Sequence, residues 1–108
     1  MYVKKDFNKI KTIILKYINN VEKIVLFGSY ARNEEEKESD IDILILTKSP
    51  LKRKEKLEAL TKIRWDVAML EYKADFILKN NSDYIKEVDK PTLSKIIDKE
   101  GKLLWRAS

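Results

Sequence analysis

The apolar positions change rhythm along the chain, and each rhythm predicts an element. Phe7, Ile10, Ile14, Tyr17 and Ile18 recur at helical spacing and predict a helix over residues 6–19 with one buried face. Asn19-Asn20 breaks it. Ile24-Val25-Leu26-Phe27 is a short, wholly apolar run that predicts a buried strand, stopped by Gly28-Ser29. A short helical turn through Tyr30-Ala31-Arg32 and a solvated loop over residues 33–38 should follow. Residues 39–47 form the second predicted strand. Its Ile43-Leu44-Ile45-Leu46 segment is apolar on both faces, which places it in the middle of its sheet.

Lys48-Ser49-Pro50 ends that strand. A long helix is predicted over residues 51–70, with Leu57, Leu60, Ile63, Val67 and Leu70 as its core stripe. A third strand is expected over residues 74–78. Asn80-Asn81-Ser82 turns the chain, with Ser82 as a candidate cap for a short helix. Another short helix should span residues 92–99 after Pro91, stopped by Gly101, before an edge strand over residues 102–105. The pattern is α/β: a small mixed β-sheet packed with helices, forming one domain over residues 1–108. Trp65, Tyr72 and Trp105 read as packing residues, Asp66 and Asp83 as exposed helix positions, and Lys52-Arg53-Lys54 as a solvated first turn.

Composition narrows the chemistry. The chain has no cysteine and no histidine, so disulfides, zinc-thiolate sites and imidazole acid–base catalysis are excluded. A bound metal would need oxygen ligands, which favours magnesium or manganese. A general base would be a carboxylate, a lysine, a tyrosine or an activated water. The formal charge is +5, but the lysines are scattered and no nucleic-acid-binding signature appears, so direct nucleic-acid binding is not expected. No apolar run reaches membrane-spanning length, and Met1–Asp6 lacks a signal-peptide core. A cytoplasmic protein without a membrane partner is expected, with oligomerisation left open.

Asp40 and Asp42 are the most informative residues. Two apart on a strand, they share one face about 6–7 Å apart. Two like charges at the start of a buried strand repel, and a divalent cation between them removes that penalty. An isolated Asp-x-Asp is equally well a water-exposed strand end. Gly28-Ser29 lowers the weight of that account. A Gly-Ser turn between an apolar strand and a helix start can cradle phosphate, with outward amides and the helix N-terminus supplying positive potential. Ser29 could also donate to a phosphate oxygen. A third carboxylate, Asp75, near the start of the third strand, could complete a triad if that strand lies beside the second; a solvent-facing strand aspartate is the even alternative.

Gly28-Ser29-Tyr30-Ala31-Arg32 followed by Ser39-Asp40-Ile41-Asp42-Ile43 resembles the signature of the minimal nucleotidyltransferases (MNT) of the DNA polymerase beta-like superfamily. Many of these are the antitoxin half of HEPN–MNT toxin–antitoxin pairs. The resemblance runs along essentially the whole chain and implies the polymerase beta-like palm fold. Carried over residue by residue, it implies phosphate binding by Gly28 and Ser29, and metal binding and catalysis by Asp40, Asp42 and Asp75. Arg32 matches a family arginine that orients the loop or contacts phosphate; an ion pair with Glu34–Glu36 accounts for it equally. The chain departs from the family at Tyr30, where a basic residue is common, and at Asn33, where glycine is common.

What the resemblance implies is transfer of AMP from ATP, with two Mg²⁺ ions (or Mn²⁺), to a hydroxyl: a tyrosine of a HEPN-type toxin. The chain would then be an antitoxin that adenylylates its partner. The alternative is a non-catalytic antitoxin or binding module that neutralises its partner by contact.

Overall fold

The computed structural model describes residues 1–108. In chain order it contains α1 (Lys4–Tyr17), β1 (Val21–Phe27), β2 (Ile41–Thr47), α2 (Arg53–Met69), β3 (Ala74–Asn80), α3 (Asn81–Glu87), α4 (Leu93–Glu100) and β4 (Lys102–Arg106). The strands form one mixed sheet in the order β3-β2-β1-β4. β1 runs antiparallel to both β2 and β4, while β2 and β3 are parallel, joined through α2. The doubly apolar β2 is therefore central, as its sequence predicts.

Strand alternation divides the core into two layers. Ile41, Ile43 and Ile45 of β2 point to one face, where they meet Ile10, Ile14, Ile24, Leu60, Ile63, Val67 and Phe76 under α1 and α2. Leu44 and Leu46 point to the other face and pack with Tyr84 of α3 and Ile97 of α4. This second cluster is small. It centres on Leu44 and Leu46, toward the Thr47 end of β2.

Several elements differ from expectation in physically clear ways. β1 begins at Val21 rather than Ile24, because Lys23 pairs with both Leu46 and Arg106 and so belongs to the ladder despite its charge. β2 begins at Ile41, so Ser39 and Asp40 precede it. In α2 the core face is Ala59, Leu60, Ile63 and Val67, while Leu57 and Leu70 are exposed. The chain at Asn80 is capped by that residue, whose side chain accepts from the Asp83 amide at 2.9 Å, not by Ser82. Trp65, expected as a packing residue, is 69% exposed. Asp66 is partly buried, because it accepts a 2.6 Å hydrogen bond from the Tyr17 hydroxyl.

Gly101 does stop α4, yet its backbone is not left-handed: φ is −68°. Its need for glycine is spatial. A Cβ there would stand 2.6 Å from both the Ile97 carbonyl oxygen and Val25 Cγ1.

Candidate active site

Gly28 follows the last residue of β1 and takes φ +75°, the left-handed region that glycine enters without penalty. Its carbonyl accepts from the amides of Ala31 (3.1 Å) and Arg32 (3.2 Å), and Ser29 O accepts from Glu34 N (2.9 Å). These bonds close a compact turn. The helix start expected at Tyr30-Ala31-Arg32 is only this hydrogen-bonded turn, so that stretch supplies no helix dipole. What the turn offers instead is backbone donors: the amides of Gly28, Ser29 and Tyr30 bond to no carbonyl or side chain. Consecutive free amides of this kind make an anion-binding concavity.

Both departures from the family pattern acquire a reason. Tyr30 is buried, its hydroxyl accepts from Tyr2 N at 3.1 Å, and its ring lies against Tyr2 and Phe7, so it pins the turn to α1. Asn33 adopts φ +57°, the conformation glycine would take freely and asparagine tolerates better than most residues. Its side-chain oxygen also accepts from Lys102 Nζ at 3.1 Å.

The sheet register brings the carboxylates together. Asp42 pairs with Phe27 on β1 and with Asp75 on β3, so the parallel neighbour of one aspartate is another. Both side chains belong to the face that carries Leu44 and Ile77, beyond the end of the small core cluster. Asp40, one residue ahead of β2, is exposed, as is Asp75, whereas Asp42 is half-buried. The Asp42 carboxyl is held above its ordinary pKa by burial first, then by the charges of Asp75 and Asp40, with Arg32 opposing them. The acidic side chains do not close into a ready-made cage: no three of them converge at the range of a shared ion. Their repulsion is nonetheless felt at Asp42.

Gly28 and Asp42 are in contact. A Cβ on residue 28 would overlap Oδ2 of Asp42 and lie 3.1 Å from its Cγ. The glycine thus opens the turn and also leaves room for the central carboxylate.

Arg32 is exposed and ion-paired, with Nε 3.1 Å from Glu34 Oε2 and Nη1 3.4 Å from Glu100 Oε2. This is the ion-pair account of Arg32, with Glu100 added from a distant helix. The loop after it is not wholly solvated: one carboxylate oxygen of Glu35 is buried without a partner. A residue that the sequence pattern gave no reason to single out is Lys73. Its carbonyl accepts from Ile41 N at 2.9 Å, and its ammonium sits 3.2 Å from Glu38. Glu38 chiefly, and Asp40 to a smaller degree, raise its pKa.

Residues 7–104 match the nucleotidyltransferase domain family. The chain belongs to that family. One relative, from Methanocaldococcus jannaschii and provisionally named a protein adenylyltransferase, is 46% identical over 55 residues, covering 49% of this chain and 54% of its own length. The chain thus aligns with about half the length of that relative. A second from the same organism, with the same provisional name, is 36% identical over 91 residues, covering 77% of this chain and 90% of its own length.

Solved structures repeat the fold of this nucleotidyltransferase. A chain from Sulfolobus solfataricus, provisionally described as a nucleotidyltransferase, superimposes with TM-score 0.66 at 20% identity, covering 95% of this chain and 79% of that one. A toxin–antitoxin complex with AMP-PNP gives 0.64 at 24% identity, covering 94% and 74%. The complex of tri-AMPylated Shewanella oneidensis HEPN toxin with MNT antitoxin gives 0.58 at 23% identity, covering 97% and 74%. At these identities the likeness speaks for the fold.

Proposed function

We propose that this nucleotidyltransferase moves AMP from ATP to a hydroxyl of a protein acceptor, a tyrosine of a HEPN-type toxin, and thereby acts as its antitoxin. The observation that carries the reading is the meeting of Asp42 with Asp75 in register beside a Gly28 turn whose amides are free. Membership of the family supports nucleotide transfer. The names of the relatives and of the toxin–antitoxin complexes support the kind of donor and acceptor.

The chemistry of these residues suits a divalent cation, although the three carboxylates do not converge on one point. The side-chain donors there are carboxylate oxygens, and the Asp42 carboxyl is raised by burial first and then by the charges of Asp75 and Asp40, a repulsion that a cation would relieve. Asp40, Asp42 and Asp75 would hold Mg²⁺ or Mn²⁺. Such ions supply charge neutralisation on the triphosphate and lower the pKa of an attacking hydroxyl.

The chain's own groups do the rest. The amides of Gly28, Ser29 and Tyr30, with the Ser29 hydroxyl, bind the phosphates and align them over the end of β2. Arg32, tied to Glu34 and Glu100, fixes the far side of the turn. The acceptor oxygen attacks the α-phosphorus, the bond from that phosphorus to the bridging oxygen breaks, and pyrophosphate leaves with the electron pair. Asp75 takes the proton from the acceptor hydroxyl. Its exposure lets a protein-borne tyrosine reach it.

The test is incubation with α-labelled ATP, Mg²⁺ and a HEPN-type partner. Label should pass to a tyrosine of the partner with wild type and not with Asp42→Asn. Partner neutralisation without labelling would support the contact-only antitoxin instead.

A further inference from the structure

Tyr2, just ahead of α1, bonds to both halves of the candidate site. Its backbone N–H donates to the Tyr30 hydroxyl at 3.1 Å, and its own hydroxyl accepts from Lys73 N at 3.0 Å. Tyr30 belongs to the turn that begins at Gly28 and contributes one of its free amides. Lys73 leads into β3 and Asp75, and its carbonyl accepts from Ile41 N at 2.9 Å. Ile41 lies between Asp40 and Asp42. One residue thus ties the turn to the strand ends that carry the carboxylates.

Tyr2 is itself held in place. Its ring centroid lies 5.9 Å from that of Tyr30, and it meets the Tyr72 ring edge-on at 5.4 Å. The Tyr72 hydroxyl donates to one oxygen of Asp6 at 2.7 Å, and the other Asp6 oxygen accepts from Val3 N at 2.8 Å. That closes a ring of contacts back to the residue after Tyr2. Tyr2 and Tyr72 pack with the core under α1 and α2, whereas Asp42 and Asp75 belong to the opposite face of the sheet. Tyr2 therefore acts on the site through backbone groups and not by touching substrate.

Strand pairing already sets Asp42 against Phe27, the residue before Gly28. Asp40 precedes β2, and Asp75 lies on the edge strand β3, away from β1. The path from Tyr30 through Tyr2 and Lys73 to Ile41 links these two outer positions to the turn. We propose that Tyr2 is a positioning residue for nucleotidyl transfer, fixing the Asp40 and Asp75 strand ends relative to the Gly28 turn. The proposal rests on the reading of these residues as a nucleotidyl-transfer site. Nucleotide held by the turn and Asp42 stays aligned through β1, so a loosened clamp weakens the chemical step rather than nucleotide binding. A misplacement of about 1 Å in a reacting geometry costs ~10²-fold in rate, so a partial loosening costs less.

The test is Tyr2→Phe, which keeps the ring and the backbone donor and removes the acceptor for Lys73 N. In the nucleotide-free protein, hydrogen exchange at the Ile41 amide should quicken on the order of tenfold, while exchange at Leu44 stays as in wild type. In transfer to the HEPN-type partner, kcat should fall on the order of tenfold with KM for MgATP kept. Tyr30→Phe, which removes the acceptor for Tyr2 N, should cause a similar loss. The double variant should lose no more than the larger single, because both changes break one connection. Tyr84→Phe, which removes a tyrosine hydroxyl bond in the other layer, should keep wild-type kcat. Wild-type kcat in Tyr2→Phe overturns the proposal, as does unchanged Ile41 exchange. Additive losses in the double variant, or an equal kcat loss in Tyr84→Phe, mark general loosening and overturn it too. If wild type itself transfers no AMP, the transfer reading fails, and Ile41 exchange alone decides whether Tyr2 holds the strand ends.

Discussion

Gly28 Cα and the Asp42 carboxylate sit so close that a methyl group on residue 28 would occupy the space of Oδ2. The turn and the central acid are thus one steric unit. Gly28→Ala should destabilise by about 1–3 kcal/mol from the left-handed backbone alone, and it should also displace Asp42. Denaturant unfolding reads the first effect and nucleotide titration the second. Unchanged nucleotide affinity in a folded Gly28→Ala protein would place the cradle elsewhere.

Asp42→Asn separates stability from chemistry. The folded carboxyl has a raised pKa, so the native state binds protons more tightly than the unfolded chain. Stability then falls as pH rises from the unfolded value through the folded one, and the full cost persists at neutral pH. Asp42→Asn should therefore raise Tm at pH 7 in metal-free buffer and give no gain well below pH ~4, the unfolded aspartate value. The same variant should lose magnesium-dependent transfer to background. A lower Tm at pH 7 would show that the carboxylate is not under strain.

Asp75 tests how the acceptor loses its proton. A tyrosine hydroxyl titrates near pH ~10 and is a poor nucleophile at neutrality. Asp75→Asn should keep most of the MgATP affinity while cutting transfer by roughly 10²-fold or more. Raising the pH should restore part of the rate. Parallel loss of affinity and rate would make Asp75 a ligand of the nucleotide metal only.

Tyr84 governs the alkaline limit. Its hydroxyl donates to Asp98 at 3.2 Å, and burial first, then the Asp98 charge, push its pKa to about 12. The unfolded tyrosine ionises near pH ~10, so the unfolded state gains charge before the folded one does. The stability Tyr84 contributes is complete below that value and is lost as pH climbs through about 12. Tyr84→Phe should cost about 0.5–1.5 kcal/mol at neutral pH and flatten the alkaline decline in chemical denaturation. An identical pH slope in both proteins contradicts this.

Much of the fold was legible because it rests on local pattern. The apolar runs of β1 and β2, the two-faced apolar core of β2 and the Asp-x-Asp after a Gly-Ser turn need no long-range knowledge. What escaped depends on partners distant in sequence. Leu57 and Leu70 fit a core stripe in α2 by spacing and Trp65 reads as a packing residue, yet Ala59 takes an inward position and all three face solvent. Asp66 looks exposed until Tyr17, from α1, bonds it. Gly101 reads as a helix stop, but Val25 of the neighbouring strand is what forbids a side chain there. The pairing of Asp42 with Asp75 could be supposed from sequence, and only the parallel register makes it a contact between neighbours. Lys73 escaped because its importance lies in the backbone and charge it offers to β2, not in any motif.

The two tryptophans occupy opposite surroundings. Trp65 stands in solvent on α2, while Trp105 is partly buried on β4, paired with Ile24 of β1. The intrinsic emission of the chain is therefore a sum of a water-exposed indole and a sheltered one. Unfolding should red-shift the Trp105 part alone, and a partner that covers the outside of α2 should blue-shift the Trp65 part alone. The unlabelled protein thus carries two optical reporters, one for the integrity of its sheet edge and one for occupancy of its outer helix.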